Sequence, residues 1–213
     1  LQGDRYRMDV EQKNNAISHI TTQGATRIYK MESNYATHMV TLNLKNNSYL
    51  EFIPEQIIPY NNSRFYQKTN LNIDDSSTVV YSETIVPGRI AMGEMFDFDV
   101  CYLKTEGSIN KKIQFRDSSL LIPKTQKIQS LAIFDNKTIL TSIYILTKKP
   151  ITKINDLINE LLSNLEGVSG GSSILPHDSG VSIRILGNSS EDQKTIIHEI
   201  LKIIRKEILS DYL

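Results

Sequence analysis

The chain is poor in the residues that usually announce a chemistry. It holds one cysteine, Cys101, which excludes an internal disulfide and suits a reducing cytoplasm. Lys plus Arg total 24 and Asp plus Glu total 24, so neither sign is in excess. Affinity for nucleic acid through phosphate neutralisation is therefore not expected of the whole chain. No run approaches the ~20 apolar residues that span a bilayer, and the start carries no signal-peptide pattern. The expectation is a cytoplasmic protein with no membrane partner. There is no Walker A pattern and no G-x-S-x-G elbow; Gly170-Gly171-Ser172-Ser173 lacks the following Lys-Ser/Thr. The four histidines, His19, His38, His177 and His198, are not spaced H-x-H or H-x-x-x-H. With one cysteine there is no zinc pair either, so sequence neighbours do not build a tight metal site. His177 beside Asp178 is at most a weak nickel pair.

What is present reads as strand. Turn signals fall at Asn14-Asn15, Ser33-Asn34, Asn46-Asn47-Ser48, Asn61-Asn62-Ser63, Asp74–Ser77, Pro87-Gly88, Gly107-Ser108 and Asp135-Asn136. Asn and Asp tolerate left-handed backbone and suit tight reversals. Between them lie apolar or alternating segments: Met39–Leu44, Tyr49–Ile53, Thr78–Thr84, Phe96–Leu103, Ser130–Phe134 and Thr138–Leu146. In Phe96–Tyr102 the alternation predicts Phe96, Phe98, Val100 and Tyr102 on one face and Cys101 on the other. Cys101 reads as an inert thiol. Frequent turns between short strands predict an irregular β-helix-like or stacked-sheet body. No repeat of fixed length is visible, so a regular solenoid is not predicted.

The last third changes period. Ile154, Leu157, Ile158, Leu161, Leu162 and Leu165 fall at helical spacing, with Thr152 as N-cap and Gly167 as the stop. Val168–Ser173 reads as a Gly/Ser loop and Val181–Leu186 as a strand. Glu191–Leu209 is a second helix, with Ser190 and Gln193 as its capping box. Both apolar stripes face a core. The expectation is one domain, with a β body over 1–148 and a helix–loop–strand–helix portion over 149–213 packed on it.

Acidic residues are placed unusually. Glu51, Glu55, Glu83, Glu94, Asp97 and Asp99 sit in or beside apolar strands. A buried carboxylate is costly unless paired, hydrated or bound to a cation. Either these acids form the solvated faces of their strands, or some line an internal hydrated path. Arg89 and Glu94, five apart around Gly93, suit an internal salt bridge.

Three blocks carry a family resemblance. They are Thr21-Thr22-Gln23-Gly24-Ala25-Thr26-Arg27-Ile28-Tyr29, Leu50-Glu51-Phe52-Ile53-Pro54-Glu55, and Gly88-Arg89-Ile90-Ala91-Met92-Gly93-Glu94-Met95-Phe96. In this order and spacing the chain resembles the UreD (UreH) urease accessory proteins. The residues that match are Thr21, Thr22, Gln23, Thr26, Glu51, Pro54, Gly88, Arg89, Gly93 and Glu94; Phe52 stands where many members have Trp. Gly3-Asp4-Arg5 looks like the end of a family segment that follows further N-terminal strands, so the expectation is a chain lacking them. The resemblance implies a β-helix-like body with two C-terminal helices. It also implies a non-enzymatic scaffold that binds UreF, through it the GTPase UreG, and apo-urease. Nickel(II) would be in transit and not tightly bound, with Asp9, Glu51, Glu83 and Glu94 as candidates for its path. Two rival readings stay open: a free-standing nickel metallochaperone, and a β-fold hydrolase using Glu51 with Glu55 or Glu83 with Glu94.

Overall fold

The computed structural model describes residues 1–131 and 133–212. Its strands are β1 (Arg5–Gln12), β2 (Ile17–Thr21), β3 (Thr26–Ile28), β4 (Ala36–Leu44), β5 (Tyr49–Ile53), β6 (Ile57–Pro59), β7 (Arg64–Ile73) and β8 (Thr78–Ile85). They continue with β9 (Val100–Ile109), β10 (Lys112–Leu121), β11 (Ile139–Leu146), β12 (Ser169–Ile174) and β13 (Gly180–Gly187). Two helices, α1 (Thr152–Ser163) and α2 (Ser190–Glu207), complete the order. One sheet runs β1-β4-β7-β9-β10 and a second runs β12-β13-β11-β8-β5-β2, with β3 and β6 beside the latter.

The body is a β-solenoid of about three turns. Successive rungs pair in parallel: Arg5 with Thr37, Ala36 with Phe65 and Arg64 with Val100 in the first sheet, and Ile17 with Tyr49 and Tyr49 with Thr78 in the second. The offset between partners changes from rung to rung, which hides the repeat from a search for fixed length. What does recur is the corner. Asn15 and Asn47 occupy the same corner of successive rungs at φ 58° and 55°, and Asn47 Nδ2 donates to Asn15 Oδ1 at 3.0 Å. Asn34 and Asn62 do likewise at another corner, at φ 59° and 54°. Asparagine visits this left-handed region more readily than other side-chain-bearing residues.

Three layers result. Between the sheets lie Val40, Leu42, Leu71, Leu50, Phe52, Val79, Tyr81 and Tyr144. Phe52, Tyr81, Tyr144 and Phe115 stack nearly parallel, at interplanar angles of 11°, 11° and 15°. The other face of the second sheet, with Val80, Ile143, Ile145, Val181 and Ile183, is covered by Ile154, Ile158, Ile196, Ile200 and Ile204 of the two helices. Both faces of β8 are therefore buried along its whole length, as expected of a strand between two layers.

Several predicted details are corrected. Val168–Ser173 is not a loop: Ser169–Ile174 pairs with β13. The glycines permit close packing there, since a Cβ on Gly170 would lie 2.9 Å from Arg184 O. Asn159 of α1 serves the strand's outer edge, accepting from Ser172 N at 2.8 Å and donating to Ser172 O at 3.2 Å. The strand predicted from Phe96 starts at Val100. The alternation breaks between Phe98 and Cys101, where Asp99 N and Val100 N both donate to Ser63 O, so Cys101 and Leu103 point inward with Phe98, while Val100 and Tyr102 are half-buried on the outer face. Residues 130, 131, 133 and 134 form turns, with Phe134 buried; Ala132 lies outside the described residues. The N-cap of α1 is Ile151 without a side-chain bond. That of α2 is Ser189, which accepts from Asp192 N, so the Ser190–Gln193 box does not form.

Candidate functional site

Most of the space between the sheets is apolar, but a polar seam crosses it. The register sets His38 of β4 beside Gln67 of β7, and Glu83 of β8 opposite Ser142 of β11, itself opposite Arg184 of β13. His38 Nδ1 meets Gln67 Oε1 at 3.0 Å. An amide oxygen only accepts, so Nδ1 carries the proton and Nε2 keeps its lone pair. That Nε2 is buried without a partner among the described residues. Gln67 Nε2 and Thr69 Oγ1 donate to Tyr81 OH at 3.0 and 3.1 Å, and Tyr81 OH donates to Glu83 Oε2 at 3.0 Å. Beyond Glu83, Tyr144 OH donates to Asp117 at 3.0 Å, and Arg184 bonds both Asp117 and Ser142. The seam thus passes from β4 and β7 through Tyr81 and Glu83 of β8 to Asp117 of β10 and Arg184 of β13.

Its electrostatics follow from burial. Glu83 is 5% exposed. Desolvation pushes its carboxyl up to about 7, against the lowering effects of Tyr81's bond and Arg184's charge. Near neutrality Glu83 is therefore poised between acid and carboxylate. Burial lowers His38, which Gln67 only partly offsets, so the imidazole is neutral. His38, Glu83, Thr22, Thr26, Pro54 and Glu55 share the wall of a small cavity of about 30 Å³, enough for one or two waters. Burial pushes the Cys101 thiol up strongly, consistent with the inert thiol read from sequence.

The other acids lie elsewhere. Glu51, 2% exposed, faces the helices: Arg205 of α2 grips both its oxygens at 2.8 and 2.6 Å, His19 Nδ1 meets it at 2.7 Å and Tyr49 OH at 2.8 Å. Burial would raise this carboxyl, but those bonds outweigh it and hold it below its usual range. Glu55 pairs with Lys194 at 2.8 Å, Asp9 with Arg7 at 2.7 Å on the exposed side of β1, and Asp99 with Arg64 and Lys124. Glu94 pairs bidentately with Arg89, which also lies 4.1 Å over the Tyr60 ring. Arg89's bonds hold Glu94 low. This pair ties the 88–96 loop, where Gly88 at φ 139° leaves no room for a Cβ, with Glu94 O 3.1 Å away, and Gly93 turns at φ 77°. Of the TTQ block, Thr22 Oγ1 accepts from Glu55 N at 2.9 Å, joining the first two matched blocks. Gln23 is exposed and Thr21 ends β2.

The structure thus brings Thr22, Thr26, Pro54 and Glu83 to one cavity and holds Glu51, Asp9 and the Gly88–Glu94 group at three other places. Among the described residues, no three His, Cys, Asp or Glu side chains are set to hold a metal ion. Sequence reading missed His38, Gln67, Asp117 and Arg184 as one set. No local signal joins them: His38 and Gln67 meet across 29 positions through the parallel register of β4 and β7.

Comparison with known proteins decides the family. A profile described as UreD urease accessory protein matches residues 1–212. The chain belongs to the UreD urease accessory protein family. It is 34% identical over 210 residues to the urease accessory protein UreD of Cenarchaeum symbiosum, covering 98% of this chain and 74% of that one. It is 33% identical over 214 residues to UreD 2 of Brucella canis, covering 99% and 71%, and 33% identical over 215 residues to UreD of Photorhabdus laumondii, covering 98% and 66%. UreD proteins are accessory proteins of urease maturation and not enzymes. The family is linked to nickel insertion into urease, and membership implies partners in urease assembly. No helix among the described residues is long and apolar enough to cross a membrane.

Proposed function

We propose that this chain is a cytoplasmic scaffold that joins a UreF-like protein, and through it a UreG-like GTPase, to apo-urease, and that nickel(II) in transit crosses its interior along the polar seam. The carrying observation for the route is a pair of groups at one inter-sheet cavity: the free Nε2 of His38 and the carboxyl of Glu83. Nickel(II) accepts imidazole and carboxylate ligands. Two ligands and a water or two hold an ion loosely enough to pass it on. Glu83, with a carboxyl near 7, gives up its proton when a cation arrives and takes one back when the cation leaves. Asp9, Glu51 and Glu94 each already hold an arginine, so on the route they would act only by exchanging Arg7, Arg205 or Arg89 for the ion. A hydrolase reading is disfavoured because Glu51 and Glu55, and Glu83 and Glu94, are engaged by separate partners and do not form shared sites.

The test is co-expression with UreF-like, UreG-like and urease subunits, comparing Glu83→Gln and His38→Gln with the parent. Assembly should survive while urease activation falls at limiting nickel. Loss of assembly in both variants, or unchanged activation in both, would overturn the route. Tight stoichiometric nickel binding by the chain alone would instead favour the free-standing metallochaperone.

A further inference from the structure

The two sheets are finished differently on their outer faces. Isoleucines of α1 and α2 cover the second, while no described element lies over the first. A strand face turned to water is ordinarily polar. Here the register lines up a row across all five strands: Arg5, Thr37, Tyr66, Tyr102 and Leu120 stand side by side. Leu120 is 47% exposed, and Tyr35, just before β4, is 48% exposed. The Tyr66 and Tyr102 rings lean on each other, with centroids 5.3 Å apart and planes at 48°. With Met39 and Val100 these side chains line a groove of about 820 Å³. The next row across the same strands is basic: Arg7, Met39, Lys68, Lys104 and Ser118.

Charge selects what fits. Arg7 is tied to Asp9 at 2.7 Å, and Arg64, at the far lip of the groove, to Asp99 at 2.7 Å. Glu106 of β9 is held by Arg116 at 2.6 Å, and Lys68 and Lys104 act on it only through space. In a chain whose charges balance at 24 and 24, the two lysines make a local cationic excess. An apolar row beside a cationic row is the complement of an amphipathic helix with one acidic flank. The row crosses four strand spacings, about 19 Å, which is the length of about 13 helical residues. We propose that the outer face of the first sheet docks an acidic amphipathic helix of a partner protein. The helix lies across the strands, with its apolar stripe on Tyr66, Tyr102 and Leu120 and its carboxylates on Lys68 and Lys104. Single-stranded nucleic acid also uses aromatic and basic surfaces, but Asp9, Asp99 and Glu106 stand among these cations and repel phosphate. The inference rests on the scaffold reading, for which it names a docking surface, and is independent of the nickel route.

Two measurements separate this surface from the scaffold reading. On the full chain alone, fluorescence anisotropy follows a labelled model helix of about 16 residues, with leucines at i, i+4, i+7 and i+11 and glutamates along one flank. Its lysine-for-glutamate counterpart and an oligothymidylate are the controls. The glutamate helix should bind saturably and the lysine helix about tenfold more weakly, the combined effect of a few half-exposed ion pairs. Lys68→Glu with Lys104→Glu should reverse that order, and Tyr102→Ser should weaken both helices. In the assembly co-expressed with UreF-like, UreG-like and urease subunits, p-benzoylphenylalanine in place of Leu120 should cross-link to an acidic helix of one of those subunits. No saturable binding, equal binding of the two helices, tighter binding of the oligothymidylate, or a cross-link to a second copy of this chain overturns the docking proposal. An assembly that forms without any cross-link at position 120 does the same and leaves the scaffold reading standing. Helix binding by the chain alone, with no assembly on co-expression, supports the surface and counts against the scaffold.

Discussion

Replacing Arg205 by Met tests what fastens α2 to the solenoid. The substitution keeps the apolar stem and removes the guanidinium that grips both Glu51 oxygens. Glu51 is 2% exposed in the parent and would keep only His19 and Tyr49 of its present side-chain partners. Removing one partner of a buried pair costs roughly 3–5 kcal/mol. Arg205 is itself 37% exposed, so water screens part of the interaction, and we expect the low end, about 3 kcal/mol. The sign of the pH dependence should also invert. In the parent, Glu51 titrates below its ordinary value; its contribution is full above the unfolded value of about 4.3 and is lost as pH falls through the folded one. Without Arg205, burial acts with less opposition and raises the carboxyl. The folded state then holds a proton that the unfolded state releases, and stability falls as pH rises from about 4.3 toward neutrality. Urea unfolding followed by circular dichroism at pH 4, 5, 6 and 7 measures both effects. Adding Glu51→Gln to Arg205→Met should recover most of the loss, because no charge then remains buried. A cost below about 1 kcal/mol, or a double variant no better than the single one, would refute the view that this ion pair docks the helix.

Three further outcomes follow from the same geometry. Glu83 has a carboxyl near 7, so between about 4.3 and 7 the folded protein binds more protons than the unfolded chain and loses stability as pH rises; Glu83→Gln should flatten that slope in the same unfolding series. Gly88→Ala forces a side chain into a φ of 139° against Glu94 O and should cost about 1–3 kcal/mol, seen as a lowered melting temperature, while Gly93→Ala, with no neighbouring atom within 4 Å, should cost less. Cys101 is 0% exposed and its thiol is raised, so a thiol-reactive dye should label it at the rate of global unfolding and not before.

The two helices were legible because their stripes are local: apolar residues at helical spacing, among them Ile154, Ile158 and Leu162 in α1 and Ile196, Ile200 and Ile204 in α2, predict burial whatever lies opposite. The strand segments from Met39 to Ile53 and from Thr78 to Thr84 were legible for the same reason. β7 was not, since Gln67 and Thr69 occupy inward positions that normally carry apolar side chains, and a strand with polar residues inside reads as a connection. The Gly/Ser stretch misled in the opposite direction. Its composition suits a linker, and only the closeness of Arg184 O and the help of Asn159 reveal why glycine is needed in a strand there.

The site divides along the same line. Sequence alone determined the family blocks, the Arg89–Glu94 pairing five residues apart and the inertness of Cys101, all of which depend on short separations or on composition. Only the tertiary structure decided which acid faces which layer. Glu51 and Glu83 look alike in sequence, each a glutamate in an apolar strand, yet Glu51 turns toward the helices and meets Arg205, while Glu83 turns between the sheets and meets Tyr81. Strand alternation sets the face relative to neighbours, but which layer covers that face depends on how the rungs stack and where α2 returns, 154 positions away from Glu51. The same holds for His38 and Gln67, joined across 29 positions by a parallel register that no local pattern encodes.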